Sequence, residues 1–170
     1  MEFSRIFTRP ALVAILAVIS PATMAACLTN VPAHPATRFH VAQGLVTDTL
    51  TGLMWQQCSV GQTYADGTCT NAASLVTWYT ASSQALAAID FGFADWRLPN
   101  RKELESIVDF ACINPALNST VFPATPSARY WSSSPYLTSN GFAWSVSFHD
   151  GQVFAQNGSE TAAVRLVRTL

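Results

Sequence analysis

Three features of the 170-residue sequence predict an α+β domain. Asn100 can cap a helix, Glu103 stands three positions later, and Leu104, Ile107, Val108 and Ala111 follow at i, i+3, i+4 and i+7 spacing. Residues 142–148 alternate instead, with Phe142, Trp144, Val146 and Phe148 on one face, the period of a half-buried strand. Asp150-Gly151 then reads as a hairpin turn, with Val153-Phe154-Ala155 returning. Helix signals in one stretch and strand signals in another fit α+β. Charged residues make up 11% of the chain and hydrophobic ones 49%. That balance excludes a disordered chain and a coiled coil. A net charge of −1 argues against a nucleic-acid binder.

Residues 1–25 read as a secretory signal. Arg5 and Arg9 precede the apolar run Ala11–Ile19; Pro21 and small residues follow. Nine apolar residues are too few to span a bilayer, which takes ~20. Cleavage after Ala25 puts Thr23 at −3. Met24-Ala25-Ala26-Cys27 also carries the cysteine of a lipobox, so a lipidated Cys27 stays open as an alternative. Removing residues 1–25 takes Glu2, Arg5 and Arg9, leaving seven of nine basic and nine of ten acidic residues, a net of −2.

Residues 26–38 form an extended lead-in, because Pro32 and Pro35 disfavour helix before them. The domain spans 39–170. Phe39 to Val46 is the first strand, Asp48 to Gly52 a turn, and Leu53 to Gln57 the return. Leu75 to Ile89 is the first helix, with Trp78, Ser82, Ala85 and Ile89 on one face. The second starts at Asn100 and ends before Asn114-Pro115. Pro115, Pro123 and Pro126 keep 114–128 a loop. Tyr130 to Ser134 is a strand, Asn157-Gly158 a second turn after the 142–155 hairpin, and Ala162 to Arg168 the closing strand.

Export makes the four cysteines disulfide candidates. Cys58 and Cys69 bracket a polar segment with two glycines that can fold back on itself. Cys27 would then clip the mature N-terminus to Cys112. If Cys27 carries a lipid, Cys112 is left as a single thiol. No C-x-x-C occurs and no histidine lies nearby in sequence, so neither a metal nor a redox site is expected.

Four stretches carry a family resemblance. They are Asp48-x-x-Thr51-Gly52-Leu53-Met54-Trp55; Asp95-Trp96-Arg97-Leu98-Pro99-Asn100-x-x-Glu103-Leu104; Asn114-Pro115-Ala116-x-Asn118 with Val121-Phe122-Pro123; and Tyr130 to Tyr136 with Trp144 and Val164 to Arg168. In this order they resemble the bacterial family typified by the C-terminal domain of the Legionella collagen-like adhesin. The resemblance covers about residues 39–168. It implies a C-type-lectin-like fold: two helices, a small antiparallel sheet joining the chain ends, and a second sheet near a loop-rich face. It also implies export, with surface attachment or lipidation in many members. The adhesin itself is a trimer that binds sulfated polysaccharides. This sequence has no collagen-like repeat, and its mature charge is acidic.

The expected binding surface is the loop-rich face around 129–160, for a glycan or a protein. Arg129, Trp131, Ser132, Ser133, Ser134, Tyr136, Asn140 and His149 are its candidate residues. Aromatic planes suit sugar faces and hydroxyls suit hydrogen bonds. Trp96 and Leu98 are expected in the core, with Arg97 held by a carboxylate or carbonyls. Trp55, Trp78 and Trp144 are expected there too, while Arg165 and Arg168 pair locally on the surface. Catalytic signatures are missing: no G-x-S-x-G surrounds a serine, and His149-Asp150 sits in a tight turn. Glu103 and Glu105 point in different directions on their helix. No cofactor, metal or nucleic acid is expected, and membrane contact only through a lipid on Cys27. The sequence therefore predicts an exported non-enzymatic binding module. A structural envelope or appendage subunit is the alternative; a hydrolase using His149 or Ser132–Ser134 ranks third.

Overall fold

The structure is a computed structural model that describes residues 26–31 and 35–170. The predicted signal peptide lies outside the described residues. The elements are β1 (Ala26–Cys27), a 3-10 turn (Ala36–Arg38), β2 (Phe39–Ala42), β3 (Leu45–Asp48), β4 (Leu53–Gln56), β5 (Thr63–Ala65), β6 (Thr68–Thr70), α1 (Trp78–Ala87), α2 (Arg101–Ser106), β7 (Cys112–Ile113), β8 (Arg129–Pro135), β9 (Phe142–Ser147), β10 (Val153–Asn157) and β11 (Val167–Thr169). This is a mixed α+β architecture of two helices and small antiparallel sheets. A four-stranded sheet in the order β11-β4-β3-β2 joins the two ends of the domain, and β10-β9-β8 form a second sheet. Two-stranded ladders β1-β7 and β5-β6 complete the pairing.

The expected first strand is two strands. Gln43 and Gly44 take positive φ (48° and 84°), and the chain folds back so that Phe39 pairs Asp48 and Ala42 pairs Leu45. A turn with both central residues at positive φ matches the twist of a hairpin. The apolar alternation runs on through the turn, and Gln-Gly is a weaker signal than Asn-Gly.

Helix α1 begins three residues later than expected. Thr77 caps it, its side chain accepting from the Thr80 N–H. Its buried residues are Ala81 and Ala85, with Trp78 packed against the same cluster, while Ile89 is exposed. Trp78 and Ala85 of the expected stripe thus face the core, while Ser82 and Ile89 give way to Ala81 and Ala88. Alanines win the inner positions because the helix lies close against Trp96 and Trp131. Helix α2 carries the expected capping box: the Asn100 side chain accepts from the Glu103 N–H, and Glu103 accepts from the Asn100 N–H. It ends at Ser106, short of the apolar stripe. Leu104, Ile107, Val108 and Ala111 are all buried, but the Asp109 N–H leaves the helical ladder for the Ala116 carbonyl.

β9 was expected to be buried on one face only. Instead Ala143, Ser145 and Ser147 are buried as well, and Phe142 and Trp144 are half-exposed. As the central strand it has a core on each side. Val146 and Phe148 pack with Trp55, Leu104, Phe122 and Tyr130, while Ala143 packs with Trp96, Trp131, Val164 and Leu166. The closing strand is also shorter than expected: β11 pairs with β4 over Val167–Thr169, and Val167 exchanges backbone bonds with Arg97.

Both expected disulfides are present, Cys27–Cys112 and Cys58–Cys69. Bonds of this kind belong to an oxidising compartment and an exported protein. The Cys27 sulfur is occupied by that bond, which takes the atom a lipid would use. Replacing both Cys58 and Cys69 with serine is expected to cost about 2–3 kcal/mol, read from the urea midpoint, because an open loop gains unfolded-state entropy.

Candidate functional site

An open cleft of about 610 Å³ lies between the β5–β6 hairpin, the C-terminal turn of α1 and the 90–93 turn. The Cys58–Cys69 bridge ties down the hairpin wall. Gln62 braces it, its side-chain Oε1 accepting from the Ser59 N–H and its side-chain Nε2 donating to the Ala124 carbonyl.

The opposite wall is built by Asp90-Phe91-Gly92-Phe93. Asp90 and Phe93 exchange backbone bonds of 3.1 and 3.0 Å across the turn. Phe91 and Gly92 both hold positive φ, 55° and 81°. Three contacts anchor the turn. Phe93 packs edge-on against Trp96, the Trp96 indole N–H donates to the Asp90 carbonyl, and the Gln56 amide donates to the Asp90 carboxylate at 3.0 Å. Asp90 is therefore positioned, while Phe91 stays 46% exposed at the rim. Gly44 lies against both the Phe91 and the Tyr64 rings. A Cβ there would stand 3.0 Å from both rings, so only glycine lets them close on this turn.

Arg165 lies beneath the floor. It was expected on the surface, but it is fully buried. Its guanidinium donates to the carbonyls of Gln56 and Gln57, to Ser59 Oγ at 3.3 Å and to Thr125 Oγ1 at 2.7 Å. It also lies 4.8 Å from the centre of the Phe122 ring. Burial pulls its pKa down, with the neighbouring Tyr130 hydroxyl opposing. Burial likewise pushes the Tyr130 hydroxyl up, against the Arg165 charge and a 2.7 Å bond with Ser59. Segment 56–59, the cleft floor, is thus pinned from below.

None of the eight candidate residues predicted from sequence lines this cleft. Trp131 and Ser132 are fully buried. The Trp131 indole N–H donates to the Val76 carbonyl, and the Ser132 hydroxyl donates to the Trp144 carbonyl. Neither has a face left for a ligand. The other six fall at two ends of β8. Arg129 and His149 are exposed at one end, with Arg129 over the Phe154 ring and His149 Nδ1 3.0 Å from Ser127 Oγ. At the other end Ser133 and Asn140 are exposed and Ser134 and Tyr136 half-exposed. There the Ser134 hydroxyl accepts from the Arg101 N–H, and Tyr136 packs edge-on against Trp144. Trp144, expected in the core, is half-exposed and carries Arg101 on its ring at 4.8 Å. Trp78 is half-buried, its indole N–H donating to the Ser132 carbonyl. Arg97 pairs with Glu103, and Arg168 with Asp95 at the surface, as expected.

His149 therefore bonds Ser127 and not the 132–134 hydroxyls. Among the described residues no group of three or more His, Cys, Asp or Glu could hold a metal ion, and no helix is long and apolar enough to cross a membrane. The sequence reading missed Gln56, Tyr64, Gln84, Asp90 and Phe91. One local signal was available for them, Asp90-Phe91-Gly92-Phe93, an acidic residue, an exposed aromatic and a glycine in turn order.

No curated protein matches the chain. The model of the Lcl C-terminal domain family matches residues 44–168, a span that holds β3 to β10, both helices and the whole cleft, and the chain belongs to that family.

Proposed function

We propose that this protein is an exported, non-enzymatic binding module with an adhesin-like role, recognising a glycan or a protein at the cell envelope or outside it. The observation that carries this reading is the cleft of about 610 Å³, held open by a disulfide on one wall and pinned from below by Arg165. Ligand sites are typically concave, of ~300–1,000 Å³, and formed before the ligand arrives. The family's namesake is the C-terminal domain of a collagen-like adhesin, which supports a surface role. Two helices beside small antiparallel sheets, with the domain ends paired in one of them, accord with the C-type-lectin-like fold. A signal peptide over residues 1–25 accords with two disulfides.

A glycan array and a pull-down from envelope and host-surface extracts test the reading with the folded, exported protein. Binding in either assay is expected; silence in both overturns it. A structural appendage subunit is the competing reading, favoured by Leu75, Tyr79, Leu86 and Ile89, which lie exposed on and beside α1. Native mass separates the two. A stable oligomer, such as the trimer of the resemblance, with no ligand in either assay would establish the subunit.

A further inference from the structure

We propose that the cleft takes an uncharged saccharide, with a sugar ring seated against Phe91 and Tyr64 and its hydroxyls held by Asp90 and Gln84. The proposal rests on the binding-module reading and names the ligand class for its site.

The first observation is the backbone at Phe91. Its φ of 55° lies in the left-handed region, which a bulky residue rarely enters and which costs about 1–2 kcal/mol. The turn itself would be better served by asparagine or glycine. Phe91 does not recover that cost in the core, because the residue stands 46% exposed at the rim. Strain of this kind gathers at functional sites. The second observation is that Phe91 and Tyr64 both approach Gly44 and both line the cleft, which brings two aromatic side chains together at its wall.

The third is the polar complement. A sugar presents apolar C–H faces, which pack on aromatic rings, and hydroxyls, which both donate and accept. Asp90 accepts from sugar hydroxyls through the carboxylate that Gln56 already fixes by one oxygen. The exposed Gln84 amide donates and accepts. Fixing these groups beforehand lowers the entropy lost on binding. The fourth is charge. Among the described residues lining the cleft there is no Lys, Arg or His, and Asp90 is the one carboxylate. Such a lining repels sulfate and carboxylate groups and favours a neutral ligand. The half-exposed Trp144 ring, by contrast, already carries Arg101 over it and Tyr136 edge-on.

The test uses an array of neutral oligosaccharides ending in glucose, galactose, mannose or N-acetylhexosamine, with heparin as the sulfated probe. The proteins are the wild type, Phe91→Asn, Tyr64→Ala and Asp90→Asn. Asparagine tolerates the positive φ, so Phe91→Asn keeps the turn while removing the ring. A neutral oligosaccharide is expected to bind the wild type with little change in affinity between low and high salt. Each substitution is expected to weaken it about tenfold or more, the effect of one lost stacking or charge-assisted contact, with an unchanged unfolding midpoint for Phe91→Asn. Neutral-sugar binding that survives both Phe91→Asn and Asp90→Asn overturns the site. Binding to heparin alone, fading with salt, overturns the ligand class. Capture of a protein with no glycan bound overturns the saccharide and leaves the binding-module reading standing. Silence toward glycans and proteins alike overturns both.

Discussion

Replacing Arg165 with alanine is expected to lower the unfolding free energy by about 3–5 kcal/mol. The guanidinium is fully buried, and each hydrogen bond to a charged group contributes about 1.5–3 kcal/mol. Its removal strips the donor from two backbone carbonyls, Gln56 and Gln57, and from the hydroxyls of Ser59 and Thr125. It also leaves a void against Phe122 and Tyr130, which adds a cavity cost. Urea unfolding with the disulfides intact measures the loss; a change under about 1 kcal/mol would contradict this account. Arg165→Lys is expected to recover only part of it, because a single ammonium cannot span two carbonyls and Thr125 at once. Since Gln56 and Ser59 belong to the cleft, Arg165→Lys should also weaken ligand binding while the rest of the fold persists.

Asp48→Ala is expected to cost a similar amount, about 3–5 kcal/mol, for a different reason. Arg38 and Asp48 form a bidentate pair with side-chain exposures of 7% and 0%. Asp48 also accepts from the Thr51 hydroxyl at 2.6 Å and the Leu50 N–H at 3.1 Å, while Arg38 donates to the Ser106 carbonyl at 2.9 Å. The pair thus ties the end of β3 to the 3-10 turn and to the end of α2. Removing the carboxylate takes a bidentate acceptor from the buried Arg38 guanidinium and strips the acceptor from the Thr51 hydroxyl and the Leu50 N–H. The double change Arg38→Met, Asp48→Leu should cost less than Asp48→Ala alone, and a thermal-melt series over the four proteins checks this.

The same pair sets a pH dependence. Burial opposes the Asp48 carboxylate, but hydrogen bonds from Arg38 and Thr51, the Arg38 charge and the Leu50 N–H outweigh it, so its pKa lies below the ordinary value. Glu103 behaves alike, with burial opposed by Arg97 and the Asn100 N–H. A carboxylate with a depressed folded pKa contributes stability that is complete above its unfolded pKa of about 4 and is lost as pH falls through the folded value. Stability of the wild type should therefore fall steeply below about pH 4, and Asp48→Asn should flatten that slope.

Features that depend on near neighbours were readable in the chain. The Asn100–Glu103 box joins residues three apart, the β9–β10 hairpin turns on Asp150-Gly151, and Cys58 and Cys69 are separated by 11 positions. Each is a local contact whose partners the sequence itself places side by side. The errors were also local in form but tertiary in cause. Two of the four α1 stripe positions were off by one residue, Ser82 and Ile89 giving way to Ala81 and Ala88, because the tight approach of Trp96 and Trp131 selects alanine there. The alternation of β9 suggested one wet face, yet a second core covers the small side of that strand.

The cleft and its floor belong to the tertiary structure. Arg165 bonds groups 40 to 109 positions away, and no local pattern distinguishes it from Arg168, which pairs with Asp95 at the surface. Trp131 reads as a sugar platform in sequence because its neighbours are serines, but an isolated strand does not reveal what packs over it. The cleft draws on Gln56, Tyr64, Gln84, Asp90 and Phe91, which lie on a strand, a hairpin, a helix and a turn with no spacing in common. The sequence by itself determined the class, the capped helix, the Asp150-Gly151 turn and the family, and it offered the cysteine pairing beside a lipidated Cys27. Burial and the convergence of distant side chains decided where a ligand can sit. A periodic pattern reports the surroundings of one element, whereas a binding site arises from surfaces of several elements brought together by a shared core.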